Sequence, residues 1–264
     1  MDLGLAGKSA LVSGSTAGIG FAIAKELAQE GAHVFVNGRT AGRVQQAVEK
    51  IRSTSPTGKV EGIAADLGTV AGCNVLFQQL PAVDILINNL GIFEPKQFSE
   101  ITDPDWMRFF EVNVLSGVRL SRQYLPGMLR KNWGRIIFIS SESAVQIPVE
   151  MIHYGMTKTA QLAIARGLAE SVAGTGVTVN SVLPGPTRSE GVGGFVEDMA
   201  RHQKVPVGQI EKEFFDKARP SSLLKRFATV EEVAAMVTYV AGTRSSATNG
   251  AALRVDGGVV RSIV

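Results

Sequence analysis

Short apolar runs alternate with longer amphipathic segments along almost the whole chain. Seven runs of five to seven residues are typical of buried strands: SALVS, HVFVN, VEGIAA, DILINN, RIIFIS, VTVNSVL and AALRV. Between them, apolar residues recur at helical spacing in segments such as IGFAIAKELAQE, GRVQQAVEKIR and VEEVAAMVTYVAG. Strands that alternate with helices in this way predict a parallel sheet covered by helices on both faces. We therefore expect an α/β fold, with residues 1–264 forming a single doubly wound domain of about seven strands.

One segment departs from this alternation. Residues 189–222 are polar and only weakly periodic, and they lie between SVLPGPTR and the last predicted helix. Long segments outside the sheet pattern of a compact domain are uncommon, and many of them are lids over a site. We expect residues 189–222 to form a substrate lid.

A glycine-rich stretch, SGSTAGIG, follows the first predicted strand and opens the first predicted helix. Its glycines let the backbone turn tightly and approach a pyrophosphate, which is stabilised at the positive N-terminus of a helix. The spacing G-x-x-x-G-x-G differs from the commoner G-x-G-x-x-G, and an ordinary glycine-rich turn is the alternative. The position within a βαβ unit favours a dinucleotide site of the Rossmann type. The predicted cofactor contacts in this loop are Gly14, Ser15, Thr16, Gly18, Ile19 and Gly20.

Three further stretches lie where predicted strands end, which is where doubly wound sheets bind their ligands. Asp66 and Leu67 end the third strand, NNLG (88–91) ends the fourth, and LPGPTR (183–188) ends the sixth. Taken singly, they have plain alternatives as a helix cap, a turn and a chain reversal. Because all three fall on the same rim, we interpret them as parts of one cofactor crevice. The predicted contacts here are Asp66, Leu67, Asn89, Gly91, Pro184, Gly185 and Thr187.

The end of the second predicted strand, HVFVNGRT, bears on the choice of cofactor. Proteins that prefer NAD usually carry an acidic residue there, which accepts hydrogen bonds from the adenosine ribose. This chain has Asn37, Gly38 and Arg39 instead. No carboxylate therefore repels a 2′-phosphate, and the guanidinium of Arg39 can form a forked bond with it. We predict a preference for NADP(H); if Arg39 instead stacks on the adenine, NAD(H) is accepted as well.

The stretch HYGMTK places Tyr154 and Lys158 four residues apart at the start of a predicted helix, on one face. An unperturbed tyrosine has a pKa near 10, which is too high for efficient acid–base catalysis at neutral pH. An ammonium about 4 Å away, at an effective dielectric of about 20, favours the phenolate by roughly 4 kcal/mol, or about three pKa units. Desolvation opposes this shift, so we expect a pKa for Tyr154 somewhat above about 7. Without the glycine loop, an ordinary helix pair would be the default interpretation.

Ser141 lies thirteen residues before Tyr154, at the end of the fifth predicted strand. A serine at a strand end and the first turn of the next helix can face each other across the crevice. This arrangement permits proton exchange with a substrate oxygen while nicotinamide exchanges a hydride with the adjoining carbon.

Together these motifs resemble the short-chain dehydrogenase/reductase family over essentially the whole chain. The resemblance is carried by SGSTAGIG, NNLG, Asn113 in EVNVLSG, Ser141, YGMTK and LPGPTR. It implies that Tyr154 is the acid–base residue and that Lys158 also holds the nicotinamide ribose. It further implies that Ser141 orients the substrate oxygen, that Asn113 supports a proton relay through water, and that the protein is a homotetramer.

The chain departs from the usual pattern of this family at two positions. Ser13 stands where threonine is usual, and the hydroxyl is retained. Leu90 stands where NNAG would have alanine, and its side chain is bulkier near the cofactor. Among the neighbouring serines, Ser141 has the family's interval to the tyrosine, and Ser143 is a candidate second contact.

Composition narrows the class of protein further. The 27 basic and 24 acidic residues give a net charge of +3 without a run of like charges, so we expect no nucleic-acid partner. Cys73 is the one cysteine in the sequence, which excludes an intramolecular disulfide and a cysteine-based metal cluster, and we predict no metal site. Neither a signal-peptide pattern nor eighteen consecutive apolar residues occur. We expect a cytoplasmic protein that is not inserted in a membrane.

These features predict an NAD(P)-dependent oxidoreductase that transfers a hydride between nicotinamide and a small-molecule carbonyl or secondary alcohol. A reductase of 3-oxoacyl thioesters is the first expectation, and a dehydrogenase of sugars, polyols or other secondary alcohols is the alternative. The stretches expected to line the pocket, GIFEPKQF and ESAVQIPVEMIH, mix apolar and acidic residues and favour neither. A cofactor-sensing regulator without turnover is the alternative from another class, and the presence of both Tyr154 and Lys158 argues against it.

Overall fold

The strands divide their side chains between two apolar layers. The computed structural model describes residues 2–55 and 58–263. In β1 (Ser9–Val12), Ala10 and Val12 pack on one side of the sheet, and Leu11 packs on the other. Because successive side chains of a strand point to opposite faces, an apolar run of this kind needs cover on both faces.

Within the described residues, seven parallel strands form a single sheet. After β1 come β2 (His33–Gly38), β3 (Val60–Ala64), β4 (Ile85–Asn88), β5 (Gly134–Ile139), β6 (Val177–Pro184) and β7 (Ala252–Val255). Their order in the sheet is β3-β2-β1-β4-β5-β6-β7, which confirms the predicted doubly wound α/β fold. The order reverses between β1 and β4, where Ala10 pairs with Ile85, and the carboxyl ends of these two strands open a crevice.

Helices cover both faces of the sheet. Along the described chain they are α1 (Gly18–Gln29), α2 (Ala41–Thr54), α3 (Val70–Gln79), α4 (Asp103–Phe110), α5 (Ser116–Lys131), α6 (Ile152–Ser171), α7 (Glu190–Gln203), α8 (Val207–Glu213) and α9 (Val230–Ala241). Helices α1, α2 and α9 pack on one face, and α3, α5 and α6 pack on the other. None of the described helices is long and apolar enough to cross a membrane.

The segment 189–222 has more regular structure than its weak periodicity suggests. It contains α7, α8 and a π-helical turn, Phe214–Ala218. Its buried apolar residues form a cluster with Phe227 that is separate from the two layers of the sheet; the cluster members in the segment are Val196, Ala200, Ile210 and Phe215. The apolar positions face partly one another and partly a cavity beside the sheet, so they do not form a single stripe.

Candidate active site

The loop between β1 and α1 allows an anion to come close to the backbone and bind its N–H groups. Gly14 and Gly18 have φ angles of 61° and 58°, which favour glycine. A Cβ on Gly20 would lie 2.5 Å from the carbonyl oxygen of Gly14, so this position tolerates no side chain. Ala17 caps α1 without a side-chain hydrogen bond, and the first amides of a helix have no partner within it. These features fit the pyrophosphate of a dinucleotide.

Hydrogen bonds from the neighbouring strand ends hold this loop in place. The side-chain amide of Asn89 donates to the carbonyl oxygens of Ser13 and Gly14, both at 2.9 Å. The hydroxyl of Ser13 accepts the backbone N–H groups of Asn89 and Leu90 at 2.9 and 3.0 Å. Asn37 Oδ1 accepts the N–H of Gly14 at 3.2 Å. Ser13 therefore joins β1 to β4 through its hydroxyl, a group that the more usual threonine would also have.

The other predicted contacts of the adenosine side divide into buried and exposed groups. Ser15 is fully buried, and its hydroxyl donates to the carbonyl of Val12 at 2.7 Å. The side chain of Leu67 lies in the core. The side chains of Ser15 and Leu67 therefore make their contacts inside the protein. The predicted residues that reach the surface of the rim, wholly or partly, are Thr16, Ile19, Arg39 and Asp66.

The structure brings Ser141, Tyr154 and Lys158 together on one wall of a cavity of about 590 Å³. Lys158 Nζ donates to the carbonyl oxygen of Ile139 at 2.9 Å and lies 5.6 Å from the centre of the Tyr154 ring. The strand β5 and the first turns of α6 thereby set the spacing of the three side chains. Predicted cofactor contacts also line this cavity: Ile19, Asn89, Gly91, Pro184, Gly185 and Thr187.

Asn113 lies in a π-helical turn, Glu111–Leu115, which joins α4 to α5. Its side chain accepts the N–H of Ile92 at 2.8 Å and donates to the hydroxyl of Thr157 at 3.0 Å. Its carbonyl accepts from the side chain of Gln161 at 2.6 Å. A Cβ on Gly91 would lie 3.5 Å from both Asn113 Oδ1 and Lys158 Nζ. The predicted relay residue and the lysine therefore flank the same glycine.

Known proteins resemble this chain in sequence and in fold. A model of the short chain dehydrogenase family matches residues 8–200. The chain belongs to the short-chain dehydrogenase/reductase family. It is 51% identical to the oxidoreductase YvaG of Bacillus subtilis (strain 168), over 263 residues and 100% of both chains.

Two further similar proteins have named activities. The chain is 31% identical to the 3-oxoacyl-acyl-carrier-protein reductase FabG of Aquifex aeolicus (strain VF5), covering 98% of this chain and 100% of that one. The crystal structure of L-sorbose reductase from Gluconobacter frateurii, complexed with NADPH and L-sorbose, matches with a TM-score of 0.93. The identity in that comparison is 29%, and 100% of both chains is covered. This protein is therefore an oxidoreductase, as its motifs predict.

Burial shifts the pKa values of both Tyr154 and Lys158. Desolvation raises the pKa of Tyr154 to about 12, although a hydrogen bond with Ser141 and the charge of Arg219 lower it. Desolvation also lowers the pKa of Lys158 to about 7. The expected pKa of Tyr154 somewhat above about 7 was wrong, because the lysine is desolvated along with the phenol and is only partly charged at neutral pH. In this protein the group of the pair whose pKa lies near neutrality is Lys158.

A buried ion pair beside Ser141 escaped the sequence analysis. Glu142 Oε1 accepts from Arg219 Nε at 2.8 Å, and the two side chains are only 5% and 10% exposed. Glu142 Oε2 accepts from the hydroxyls of Ser141 and Ser143 at 2.8 and 2.5 Å. Ser143, the candidate second contact, thus directs its hydroxyl to Glu142. The partners Glu142 and Arg219 are 77 residues apart, and no pattern in the sequence links them.

Proposed function

We propose that this protein reduces a small-molecule carbonyl with NADP(H), with Tyr154 as the proton donor. The observation that carries the proposal is the cavity in which Ser141, Tyr154 and Lys158 share a wall with the strand ends of the cofactor crevice. A bound nicotinamide dinucleotide supplies the hydride for the carbonyl carbon, or accepts it in the reverse reaction. The glycine loop and the residues at the carboxyl ends of β4 and β6 would hold it.

The protonation states support reduction at neutral pH. Tyr154, with its pKa raised to about 12, keeps the proton that it gives to the carbonyl oxygen. Lys158, with its pKa lowered to about 7, exchanges protons readily and can help to restore the phenol. Asn113 lies beside Lys158 at Gly91, where it supports a proton path to solvent. In this proposal Ser141 orients the substrate oxygen toward Tyr154.

The lining of the cavity supports a substrate with an apolar portion, such as a 3-oxoacyl thioester. Six apolar side chains of the lid segment and its flank face it: Val192, Val196, Met199, Ile210, Phe214 and Phe227. A sugar or polyol is the second candidate. The charged pair of Glu142 and Arg219 in the same wall supports that candidate, as does the likeness to a structure solved with L-sorbose.

A screen of NADPH oxidation tests the proposed reaction. Ethyl 3-oxobutanoate, acetoacetyl-coenzyme A, cyclohexanone and L-sorbose represent the candidate classes. We expect turnover with at least one of them, and Tyr154→Phe should lower kcat by about 100-fold or more, because the proton donor is removed. NADPH affinity, measured by fluorescence titration, should stay within about twofold. A variant that keeps near-parental turnover would refute the role of Tyr154, whatever the substrate.

The preference for NADP(H) is proposed from the end of β2. Arg39 is exposed there, and the buried side chain of Asn37 is bonded within the protein. A forked bond between Arg39 and a 2′-phosphate contributes roughly 1.5–3 kcal/mol. Arg39→Ala should therefore lower the ratio of kcat/KM for NADPH over NADH by about 10- to 100-fold. Arg130→Ala, an exposed change on α5, is the control. An unchanged ratio in Arg39→Ala would contradict the proposal.

We further propose that the protein is a homotetramer and that residues 189–222 act as a lid. Native mass spectrometry tests the first, with an expected mass of about four times 28.0 kDa. A monomer or dimer at micromolar concentration would contradict it.

A further inference from the structure

Arg219 has two N–H groups that no described residue of the protein uses. It follows the π-helical turn Phe214–Ala218 near the end of the lid, residues 189–222, and its side chain is 10% exposed. Its Nε donates to Glu142 Oε1 at 2.8 Å. Its Nη1 donates to Glu150 Oε1 at 3.3 Å and to the carbonyl of Ala218 at 2.9 Å. Each Nη of a guanidinium carries two N–H groups, and those on Nη2 have no hydrogen-bond partner among the described residues.

The N–H groups of Nη2 belong to the cavity of the candidate site. Arg219 lines that cavity together with Ser141 and Tyr154. Glu142 Oε1 holds Arg219, and the other oxygen of the same carboxylate lies 2.8 Å from Ser141 Oγ. The width of one carboxylate group therefore separates the guanidinium from the hydroxyl that is proposed to contact the reacting carbonyl. A substrate held at Ser141 and Tyr154 brings its next polar atom within reach of Arg219.

The charges around Arg219 favour an uncharged acceptor. Glu142 and Glu150 lie 2.8 and 3.3 Å from the guanidinium, so two carboxylates share one cation. Lys217, another lid cation in the cavity lining, is paired with Glu213 at 2.9 Å. A substrate carboxylate at Nη2 would be attracted by the guanidinium and repelled by the two acidic groups. A neutral carbonyl oxygen accepts the same charge-assisted hydrogen bond without that repulsion.

The apolar part of the lid wall favours an apolar substituent on the substrate. Phe214, one of the apolar residues that line the cavity, has its ring centre 5.9 Å from Arg219 Cζ. It stacks on Phe227, with 5.1 Å between the ring centres. A sugar or polyol would bring hydroxyls against this wall, where they lose hydrogen bonds to water. An acyl chain would bury apolar surface there, which is favourable.

We propose that Arg219 is a specificity-determining residue whose Nη2 binds an uncharged carbonyl oxygen of the substrate, next to the carbonyl that is reduced. The substrate class is then an ester, thioester or amide of a 3-oxo acid, because a single carbon separates its two carbonyl groups. The excess of negative charge disfavours the free 3-oxo acid, and the apolar wall disfavours a sugar. This inference rests on the proposed function and selects one of its candidate substrate classes.

Ligand-observed NMR of the NADP⁺ complex tests the contact without turnover, because NADP⁺ cannot reduce a ketone. Ethyl 3-oxobutanoate carries the second carbonyl oxygen, and 4-ethoxybutan-2-one is the same chain without it. We expect the ester to bind at least about fivefold more tightly, and Arg219→Lys should remove this difference. Lysine keeps a cation between the two carboxylates but has no separate nitrogen for the substrate. Arg201→Lys, an exposed change in the lid, is the control.

Kinetics with NADPH test the same contact in the transition state. Arg219→Lys should lower kcat/KM for ethyl 3-oxobutanoate by about 10-fold or more, and that for 4-ethoxybutan-2-one by no more than about twofold. The intrinsic reactivities of the two ketones cancel, since each ketone is compared between two proteins. Equal losses for both substrates, or equal affinities of the parent protein for both, would overturn the role of Arg219.

The substitution Glu150→Gln tests the selection by charge, and the side chain it changes is 41% exposed. The kcat/KM for acetoacetate, the free 3-oxo acid, should rise about three- to tenfold, while that for ethyl 3-oxobutanoate stays within about twofold. Glu197→Gln makes the same change of charge at an exposed position of the lid and should alter neither value. An unchanged ratio of the two substrates in Glu150→Gln would contradict the selection by charge.

Failure of this inference and failure of the proposed function give different results. If the parent protein reduces L-sorbose or cyclohexanone in preference to the ester, carbonyl reduction stands and the role of Arg219 fails. If the parent protein turns over no carbonyl, the proposed function fails, and the NMR comparison still decides whether Arg219 binds the second oxygen.

Discussion

Asn37 uses its whole side chain to join three segments at the cofactor rim. Its Oδ1 accepts the N–H of Gly14, and its Nδ2 donates to the carbonyl oxygens of Ile63 and Ala65, both at 3.1 Å. The sequence showed that no acid stands at the end of β2, and it indicated Arg39 as the basic residue that can bind a 2′-phosphate. It did not show the bonds of Asn37, because these depend on β3 lying alongside. An aspartate at position 37 would place a carboxylate oxygen against the carbonyl oxygens of Ile63 and Ala65.

Asn37→Asp should therefore destabilise the protein, even though the two side chains are nearly equal in size. Two donated hydrogen bonds become contacts between acceptors in a buried site, a loss of about 2–3 kcal/mol. We expect Tm to fall by roughly 5–10 °C in differential scanning calorimetry. Asn74→Asp, on the exposed face of α3, is the control and should change Tm by no more than about 1–2 °C. Equal Tm values for Asn37→Asp and the parent would contradict this reading of the bonds.

Among the elements, the helices of the lid were the hardest to predict from the sequence. Ser189 caps α7 by accepting the N–H of Val192, and Val192, Val196 and Ala200 follow at intervals of four. That spacing is helical, but glycines at 191, 193 and 194 interrupt the pattern and lower the helix propensity. The strands of the sheet were easier to predict, because a strand buried on both faces must be a continuous apolar run.

Limited trypsin digestion tests whether this segment behaves as a lid. Arg201 and Lys204 are exposed at the end of α7, where Lys204 has a φ of 55°. We expect NADPH together with ethyl 3-oxobutanoate to slow cleavage at these sites at least about fivefold, because a seated lid opens less often. Arg130 and Lys131, at the end of α5 away from the crevice, give the internal control. Cleavage that is equally slow with and without ligands would contradict the lid.

For the whole molecule, burial of Lys158 and Tyr154 makes stability depend on pH in opposite senses. The pKa of Lys158 falls from 10.5 to about 7, so between these values the unfolded chain binds a proton that the folded chain lacks. Stability from this group therefore rises with pH in that window and is constant below it. The pKa of Tyr154 rises from 10.0 to about 12, so stability from the phenol falls as pH rises above 10. Sequence spacing placed the two groups together, but their desolvation is a property of the assembled cavity.

Urea unfolding of the parent and of Lys158→Met measures the first effect. Methionine removes the desolvation cost, so the variant should be the more stable protein at pH 7. The difference in free energy of unfolding should shrink by up to about 1.4 kcal/mol for each pH unit between 7 and 9.5. Lys50→Met, an exposed change on α2, should show no such trend. A difference that stays constant over this range would mean that Lys158 keeps its proton in the folded protein.

Because of the π-helical turn Glu111–Leu115, the geometry of the site depends on the number of residues in this segment as well as on their types. Such a turn is an α-helix with one residue inserted, and it leaves a carbonyl free of the regular ladder. Here the side chain of Gln161 donates to the backbone carbonyl of Asn113. Loss of a single residue, for example Val112, would let the helix close up without a break. Every candidate site residue would be retained after such a deletion, yet the register that brings Asn113 beside Lys158 would be gone. In an alignment of relatives, a one-residue gap in this turn therefore signals a changed site even where all the characteristic residues are retained.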